Sequence, residues 1–303
     1  MKIVVTHTSP DMDAITSVWL IKKYLPGWEN AIVKFVPAGE RIVNSESRIQ
    51  NPEFEDPIER IGDDEVIHVD TGLGPLDHHQ TASDKVCGAS LTWDYVRIKN
   101  LEFKIQNEKT KSKIEAVSRM VRVVVDMDHF KEVFWKDATE DYHEFSLISI
   151  LDGLKVQKPD QDEYYLDFVY SCLDAILHQF ENRIWAEKEI SESGQKFTTR
   201  FGKGIGFETI NDSVIKLAQK MGYVMALRKD PRKGYVRIKA LPSTDKIKID
   251  LTLASEKLKK MDPEATWFLH ISKKMLLNGS IKNPKMRPTR LSLEEIIKVL
   301  EQI

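Results

Sequence analysis

The sequence has few cysteines and no long apolar run. Cys87 and Cys172 are the only thiols among its 303 residues. Two thiols are too few for the disulfide framework of a small secreted protein, and they fit a reducing compartment. No apolar stretch approaches the ~20 residues of a membrane-spanning helix, and a predicted strand begins directly after Met1. We therefore expect a cytoplasmic protein with no signal peptide and no membrane partner.

Net charge is also nearly absent. The formal charge is −2, because 45 basic side chains almost balance 47 acidic ones. This balance hides two basic groups, one at residues 228–239 and one at residues 273–290, the second of which contains no acid. A charged run is most often a solvated face, and this is our interpretation of the 228–239 group. The sequence also lacks a Gly-x4-Gly-Lys-Ser/Thr loop, so nothing indicates a nucleotide-driven motor.

We expect the 273–290 group to hold substrate phosphates. Its cations can pair with phosphate oxygens, and the backbone amides of Gly279 and Ser280 can donate to them. The predicted substrate-binding residues are His270, Lys273, Lys274, Asn278, Gly279, Ser280, Lys282 and Arg287. For His270, a satisfied histidine on a strand is the alternative.

The length of the chain is comfortable for two domains. A polar stretch with a proline at residues 153–163 marks the boundary. We predict an α/β domain with a parallel sheet and a metal site over residues 1–157. Residues 158–303 are predicted to form a smaller α+β substrate-binding domain, which begins with a long bridging helix from about Tyr164 to Glu189.

Acidic and imidazole side chains follow two predicted buried strands. Residues 2–6 and 65–69 are short apolar runs typical of parallel strands. The first strand leads into His7, Asp11 and Asp13, and the second into Asp70, Asp77, His78 and His79. Ligands meet at the carboxyl ends of strands in an open α/β sheet, so we expect these side chains to share one site. The alternative for the first cluster is that Ser9 caps a helix whose N-terminus the two acids favour.

The types of side chain indicate a metal site. A lone histidine in such a place is usually structural, but two adjacent imidazoles flanked by an acid are hard to explain by packing. Carboxylates and imidazoles together suit Mn²⁺, Fe²⁺ or Zn²⁺, whereas Mg²⁺ prefers oxygen ligands. We expect two divalent ions, with Mn²⁺ preferred and Mg²⁺ allowed.

The motifs and their order resemble the Asp-His-His (DHH) phosphoesterase superfamily. The resemblance implies that His7, Asp11 and Asp70 hold one ion. It implies that Asp13, Asp70 and His78 hold the other, with Asp70 as the bridge. His79 would then act near the scissile phosphate as an electrophile or general acid.

The same superfamily has a fourth motif, a single Asp after a helix, which completes the shell of the second ion. The apolar rhythm of residues 114–125 predicts such a helix. Asp128 is our preferred ligand because similar sequences place this Asp directly before His or Asn, and Asp126 is the alternative. Both acids could also merely solvate a helix end.

A narrower resemblance extends over nearly the whole chain. The segments Val69 to Gly72, Leu76 to Gln80 and Gly88 to Leu91 are similar to the melanocyte proliferating gene (MYG) family. Its members are described as 3′ to 5′ exonucleases acting on RNA. Two departures stand out: the opening motif has the Pro10 to Ala14 form of the wider superfamily, and Asn278-Gly279-Ser280 stands where relatives carry paired glycines.

Three functions are compatible with these patterns. The leading prediction is a metal-dependent phosphodiesterase, a 3′ to 5′ exonuclease on short RNA or DNA that uses two-metal activated water for in-line attack on phosphorus. The second is a small-phosphate hydrolase for pyrophosphate, polyphosphate or a dinucleotide. The third is a metal-holding binding module without catalysis, which the complete ligand set argues against. Oligomeric state is left open, with a homodimer allowed.

Overall fold

The computed structural model describes residues 1–42, 56–105, 107–244, 248–280 and 283–303. The chain divides into two compact units, Met1–Glu181 and Asn182–Ile303. Within the described residues, no helix is long and apolar enough to cross a membrane.

The sheet of the first unit places the site. Its strands are β1 (Lys2–His7), β2 (Ile32–Val36), β3 (Ile58–Ile61) and β4 (Asp64–His68). They lie in the order β2-β1-β4-β3. Both β2 and β4 run parallel to β1, and β3 is antiparallel to β4. The predicted parallel sheet is therefore confirmed, and the carboxyl ends of β1 and β4 lie side by side.

Four α-helices lie in the described part of this unit that precedes the long helix. They are α1 (Met12–Tyr24), α2 (Gly88–Lys99), α3 (Glu108–Asp128) and α4 (Leu147–Gln157). The first three pack on one another. The Tyr24 ring lies 5.6 Å from Trp19 and 5.9 Å from Trp93 between centroids. Such edge-on aromatic contacts fix how α1 and α2 pack, and with them the position of each helix N-terminus.

The long predicted helix is present as α5 (Asp162–Glu192). Its first part buries Leu166 and Val169 in the first unit, whereas Ala186 and Ile190 are buried with the apolar core of the second. The two compact units consequently divide inside α5. The sequence places the boundary between residues 157 and 158 instead and assigns the whole helix to the second domain, because a single amphipathic pattern does not show that its two halves pack in different cores.

The second unit is the smaller one and is α+β, as predicted. Its strands are β5 (Gln195–Thr199), β6 (Gly202–Glu208), β7 (Met225–Lys229), β8 (Val236–Ala240), β9 (Phe268–Leu269) and β10 (Met275–Asn278). They form one sheet in the order β5-β6-β7-β8-β10-β9, in which β6 and β7 are the parallel pair. Its helices are α6 (Ser213–Lys220), α7 (Thr252–Met261) and α8 (Leu293–Glu301). Helix α8 begins with a capping box, since the Ser292 and Glu295 side chains each accept a hydrogen bond from the other's backbone amide.

The sequence patterns did not indicate β5, β6 or β10. Strand β6 contains Gly202, Gly204 and Gly206, and glycine weakens the strand pattern. A Cβ at Gly204 would lie 2.3 Å from the ring of Phe197 on β5. The glycine is there because an aromatic ring of the neighbouring strand packs directly on the backbone.

Candidate metal centre

The loop between β1 and α1 carries the first cluster. Asp11 is the N-cap of α1, and its Oδ1 accepts a hydrogen bond from the Ala14 amide at 2.9 Å. Its Oδ2 lies 4.0 Å from Nε2 of His7, the last residue of β1. A cap is therefore present, with Asp11 rather than Ser9 as the capping residue. This cap is compatible with a metal ligand role for Asp11, because Oδ1 accepts the capping hydrogen bond and Oδ2 is the oxygen that faces His7.

Asp70 lies at the centre of the site. The Val69 amide donates to the Val5 carbonyl at 2.9 Å, which extends the pairing of β4 with β1 and brings Asp70 beside His7. Asp70 has a φ of 50°, the left-handed region that costs energy for a residue with a side chain. Its side chain is almost fully buried, and Oδ2 lies 3.4 Å from His7 Nε2. The strained backbone thus holds a buried carboxylate against the end of the neighbouring strand.

Asp77 organises the loop that carries the two histidines. Its Oδ2 accepts from the Leu73 amide at 2.7 Å, and its Oδ1 lies 2.6 Å from His79 Nδ1. Burial raises the pKa of Asp77, but the hydrogen bonds from His79 and Leu73 outweigh burial, so its pKa lies below the usual value. Asp77 is a charged carboxylate that positions His79.

Three buried polar atoms converge on one point. His78 Nε2 lies 3.5 Å from Asp70 Oδ1 and 3.5 Å from Asp128 Oδ2. Among the described residues, none of these three atoms has a hydrogen-bond partner. Buried polar atoms are rarely left unsatisfied, and two carboxylates with an imidazole are donors that suit a divalent transition metal. The residues therefore fit a metal ion at this point.

Asp13 approaches the same point from α1. Its buried carboxylate accepts hydrogen bonds from the Gly88 and Ala89 amides, both at 2.6 Å, at the N-terminus of α2. Asp13 Oδ2 also lies 3.7 Å from His78 Nε2. The helix N-terminus stabilises the negative charge and fixes its direction.

Burial and, after it, the crowding of carboxylates determine the electrostatics of the site. Burial, followed by Asp70 and Asp11, raises the pKa of Asp13 well above its usual value. Burial, followed by Asp11, likewise raises the pKa of Asp70 well above its usual value. Burial raises the pKa of Asp128 and lowers that of His78. A bound cation would reverse this balance by compensating the carboxylates, and a neutral His78 offers the lone pair that a metal requires.

In the described part of the chain, three overlapping groups of side chains can hold a metal ion, each with its ligand atoms within 4.8 Å of one another. They are Asp70, His78 and His79; His78, Asp128 and His129; and His7, Asp11 and Asp70. Asp70 belongs to two of these groups, which is the arrangement that a bridging carboxylate requires. The sequence-predicted ligands on both strands and on the helix end are thus brought together.

The structure favours Asp128 over Asp126. Asp128 is the last residue of α3, and its side chain is 12% exposed beside His78. Asp126 is 48% exposed and lies 3.9 Å from the Lys131 ammonium. The two acids are two residues apart on one helix, so they point in different directions.

This pair provides a matched test of the fourth motif. We expect Asp128→Asn to weaken Mn²⁺ binding by about tenfold or more, since even outer partners of metal ligands contribute 10–100-fold. Asp126→Asn removes the same charge from the same helix turn and should leave the affinity unchanged. Titration of each purified variant with Mn²⁺ by calorimetry measures the difference. Equal affinities for the two variants would contradict the assignment of Asp128.

The sequence did not indicate a role in the site for His129 or Gly88. His129 Nε2 lies 3.6 Å from Asp128 Oδ2 and 2.9 Å from the Val86 carbonyl, and its ring packs edge-on against His78. Its position directly after Asp128 was the available signal. Gly88 opens α2 beneath Asp70, and a Cβ there would lie 2.8 Å from the Asp70 Cβ. This close approach depends on tertiary packing that the sequence does not display.

Four of the eight predicted substrate-binding residues contact neighbouring residues of the second unit. The Lys273 ammonium lies 3.1 Å from Asp250, and Arg287 pairs with Glu264 at 3.0 Å. Lys274 donates to the Ile249 carbonyl, and His270 Nδ1 lies 2.8 Å from the Ser272 hydroxyl. These contacts satisfy the side chains locally, and a phosphate role for them stays a prediction.

The other four predicted substrate-binding residues have different surroundings. Asn278 is fully buried, and its amide donates to the Thr266 and Arg287 carbonyls at 2.9 and 3.0 Å, which is a structural arrangement. Gly279 and Ser280 line a cavity of the second unit. Lys282 lies outside the described residues.

Comparison with known proteins gives little beyond this geometry. No family model matches the chain, and no curated protein matches it. One similar solved structure is a DHH domain from a protein described as a member of a family of ribosomal proteins, with 10% identity and a TM-score of 0.32 over 99% of this chain and 85% of that chain. Another is an uncharacterized protein from Helicobacter pylori G27, with 13% identity and a TM-score of 0.25 over the whole of both chains. Neither likeness is close enough to carry an argument about function.

Proposed function

We propose that this protein is a metal-dependent phosphodiesterase that removes nucleotides from the 3′ end of short RNA or DNA. The observation that carries the proposal is the convergence of the unpartnered Asp70 Oδ1, His78 Nε2 and Asp128 Oδ2, with the imidazole nitrogen 3.5 Å from each carboxylate oxygen. The resemblance of the motifs to the DHH superfamily, and more narrowly to the MYG family, supplies the reaction and its polarity.

The ligand set would hold two ions, with Asp70 available to both. His7 faces one oxygen of Asp70 with Asp11 beside His7, whereas His78 faces the other oxygen, with Asp13 and Asp128 beside His78. Divalent ions bound here would supply an activated water for in-line attack on phosphorus and would stabilise charge on the leaving oxygen. The protein's own contribution is to fix these carboxylates before substrate arrives.

His79 is the residue positioned for proton transfer. Its ring is 57% exposed, so it can meet a bound substrate, unlike the buried His78. Asp77 accepts a hydrogen bond from the His79 backbone amide at 3.1 Å and holds the ring through Nδ1. The other ring nitrogen, Nε2, is then the atom that would donate a proton to the leaving oxygen of the nucleotide chain.

A 5′-labelled short RNA incubated with the protein and Mn²⁺ tests the proposal. We expect labelled fragments that shorten by one nucleotide at a time, with no such ladder from an RNA whose 3′ hydroxyl is blocked or from the Asp70→Asn variant. Pyrophosphate is assayed in parallel. Release of phosphate from pyrophosphate alone would overturn the nuclease in favour of a small-phosphate hydrolase. No turnover of either substrate, with Mn²⁺ still bound, would indicate a binding module.

A further inference from the structure

A cavity of about 890 Å³ lies within the second unit. Its floor is formed by side chains on one face of β8 and β10, including Arg237, Lys239 and Leu277. Alternate residues of these strands, such as Ile238 and Leu276, point into the apolar core instead. The cavity falls in the size range of small-ligand sites, ~300–1,000 Å³. It is lined largely by the 228–239 group, which the sequence suggested was only a solvated face.

The cavity wall carries an excess of positive charge. Five cationic side chains line it together with two carboxylates, those of Asp212 and Asp230. Arg228 and Arg237 both pair with the single carboxylate of Asp212, so one of the two guanidinium charges is not compensated by it. Asp230 Oδ1 accepts hydrogen bonds from the Arg232 and Lys233 amides at 2.8 and 3.1 Å and lies 3.8 Å from the Arg232 guanidinium, so the two carboxylates together leave three of the five cations uncompensated.

Lys239 contributes a charge with no acidic partner among the described residues. Burial lowers its pKa, and the nearby cations Arg237 and Lys216 lower it further. Half-buried cations that crowd together in this way are stabilised when an anion binds between them. A phosphate group is an anion that can accept hydrogen bonds from two or three of them at once.

Aromatic and apolar side chains line the same cavity beside these cations. Tyr235 lies over Gly279, whose φ is 78° and where a Cβ would come within 2.1 Å of the ring. The glycine therefore lets the aromatic ring lie close against the backbone. Phe268 is 49% exposed at the same cavity, and Met275 and Leu277 complete an apolar surface. A flat apolar group, such as a nucleobase, can stack on such rings.

We infer that this cavity binds one nucleotide unit of a short single-stranded oligonucleotide, with the base on the Tyr235 and Phe268 side and the phosphate among Arg228, Arg237 and Lys239. The inference rests on the proposed function for the choice of an oligonucleotide, and it adds the residues that recognise it. These are not the cations at 273–290 that the sequence favoured.

Binding of a short fluorescent oligonucleotide to the full chain in EDTA, followed by anisotropy, tests the inference. Lys239→Gln breaks no ion pair with a described residue and should weaken binding about tenfold, because a charge-assisted hydrogen bond to the phosphate is lost. Tyr235→Leu should weaken binding to a similar extent, because it removes a ring on which the base stacks. Lys260→Gln removes an exposed charge from α7, away from the cavity, and should change nothing.

The outcomes separate this site from the metal centre. Hydrolysis of bis(p-nitrophenyl) phosphate with Mn²⁺ reports the metal centre without a nucleotide, and we expect the control Lys260→Gln to leave it unchanged. If the natural protein, Lys239→Gln and Tyr235→Leu bound the oligonucleotide with equal affinity, the cavity could not be its binding site. The proposed phosphodiesterase activity would be unaffected by this result. If both variants bound the oligonucleotide more weakly and none of the proteins hydrolysed a phosphodiester, the cavity would be supported as a binding site and the proposed enzymatic activity would be contradicted. If inorganic phosphate competed as effectively as a nucleoside monophosphate, the cavity would bind an anion without recognising a base, which would contradict the inference.

Discussion

Asp70→Asn is expected to lower hydrolysis of a phosphodiester by about 10³-fold or more, because metal ions contribute several kcal/mol of transition-state stabilisation and each 1.36 kcal/mol is tenfold. Asp70 is the carboxylate shared by two of the three candidate metal groups among the described residues. An amide in its place is nearly the same size but has one oxygen and no charge, so it cannot bridge. Initial rates of the natural protein and the variant at saturating Mn²⁺ measure the effect.

The same substitution should raise the thermal stability of the metal-free protein. Burial and Asp11 raise the pKa of Asp70, which means that its charge destabilises the folded state above its unfolded pKa. Asn removes this cost at neutral pH, so the variant in EDTA should melt at a higher temperature than the natural protein. Adding Mn²⁺ at about 100 times its dissociation constant should stabilise only the natural protein appreciably, by ~2.7 kcal/mol. Equal Mn²⁺ stabilisation of both proteins would contradict the role of Asp70.

Gly88→Ala is expected to lower the hydrolytic rate by about 100-fold, the scale of loss that a displacement near 1 Å causes in a reacting group. The added methyl would lie 2.8 Å from Asp70 Cβ and 3.0 Å from Asp13 Oδ2, so one of these carboxylates must move. Both are fixed, since Asp13 holds the α2 amides and Asp70 is buried. The variant should also lose Mn²⁺ affinity, which calorimetry measures.

Gly153→Ala is the matched control for this substitution. Gly153 is also a helical glycine, on α4, and nothing lies within 4 Å of a Cβ built there. The control should keep full activity and gain about 0.5–1 kcal/mol of stability, as alanine favours a helix. If Gly88→Ala retained the natural rate, the close packing of α2 on Asp70 could not be what fixes the site.

The sequence predicted two parallel strands of the first sheet and the residues at their ends because both follow from local pattern. The apolar run from Lys2 and the run before Asp70 become parallel neighbours, and the ligands directly after them meet at the strand ends. His78 and Asp128 also come together although they are 50 positions apart in the chain. The resemblance to a family motif, and not the periodicity of the sequence, indicated that they belong to one site. The assignment of catalytic roles to these residues stays a prediction.

Tertiary contacts explain what the sequence could not show. Gly88 is important only because the N-terminus of α2 packs on Asp13, 75 residues earlier in the chain. The two basic groups are both rich in cations, yet Arg237 lines a cavity whereas Lys273 pairs with Asp250. Strand alternation in β8 decides which cations face the cavity, and the pairing that fixes this face involves β10, a strand that the sequence pattern did not indicate.

Crystals grown with Mn²⁺ provide the most direct test of the central claim, that buried side chains at the ends of β1, β4 and α3 hold catalytic divalent ions. Anomalous difference density collected near the manganese absorption edge should show a peak bonded to Asp70, His78 and Asp128, and a second peak beside His7 and Asp11 that shares Asp70. Manganese density found only away from these residues, or none at a concentration that supports hydrolysis, would contradict the account.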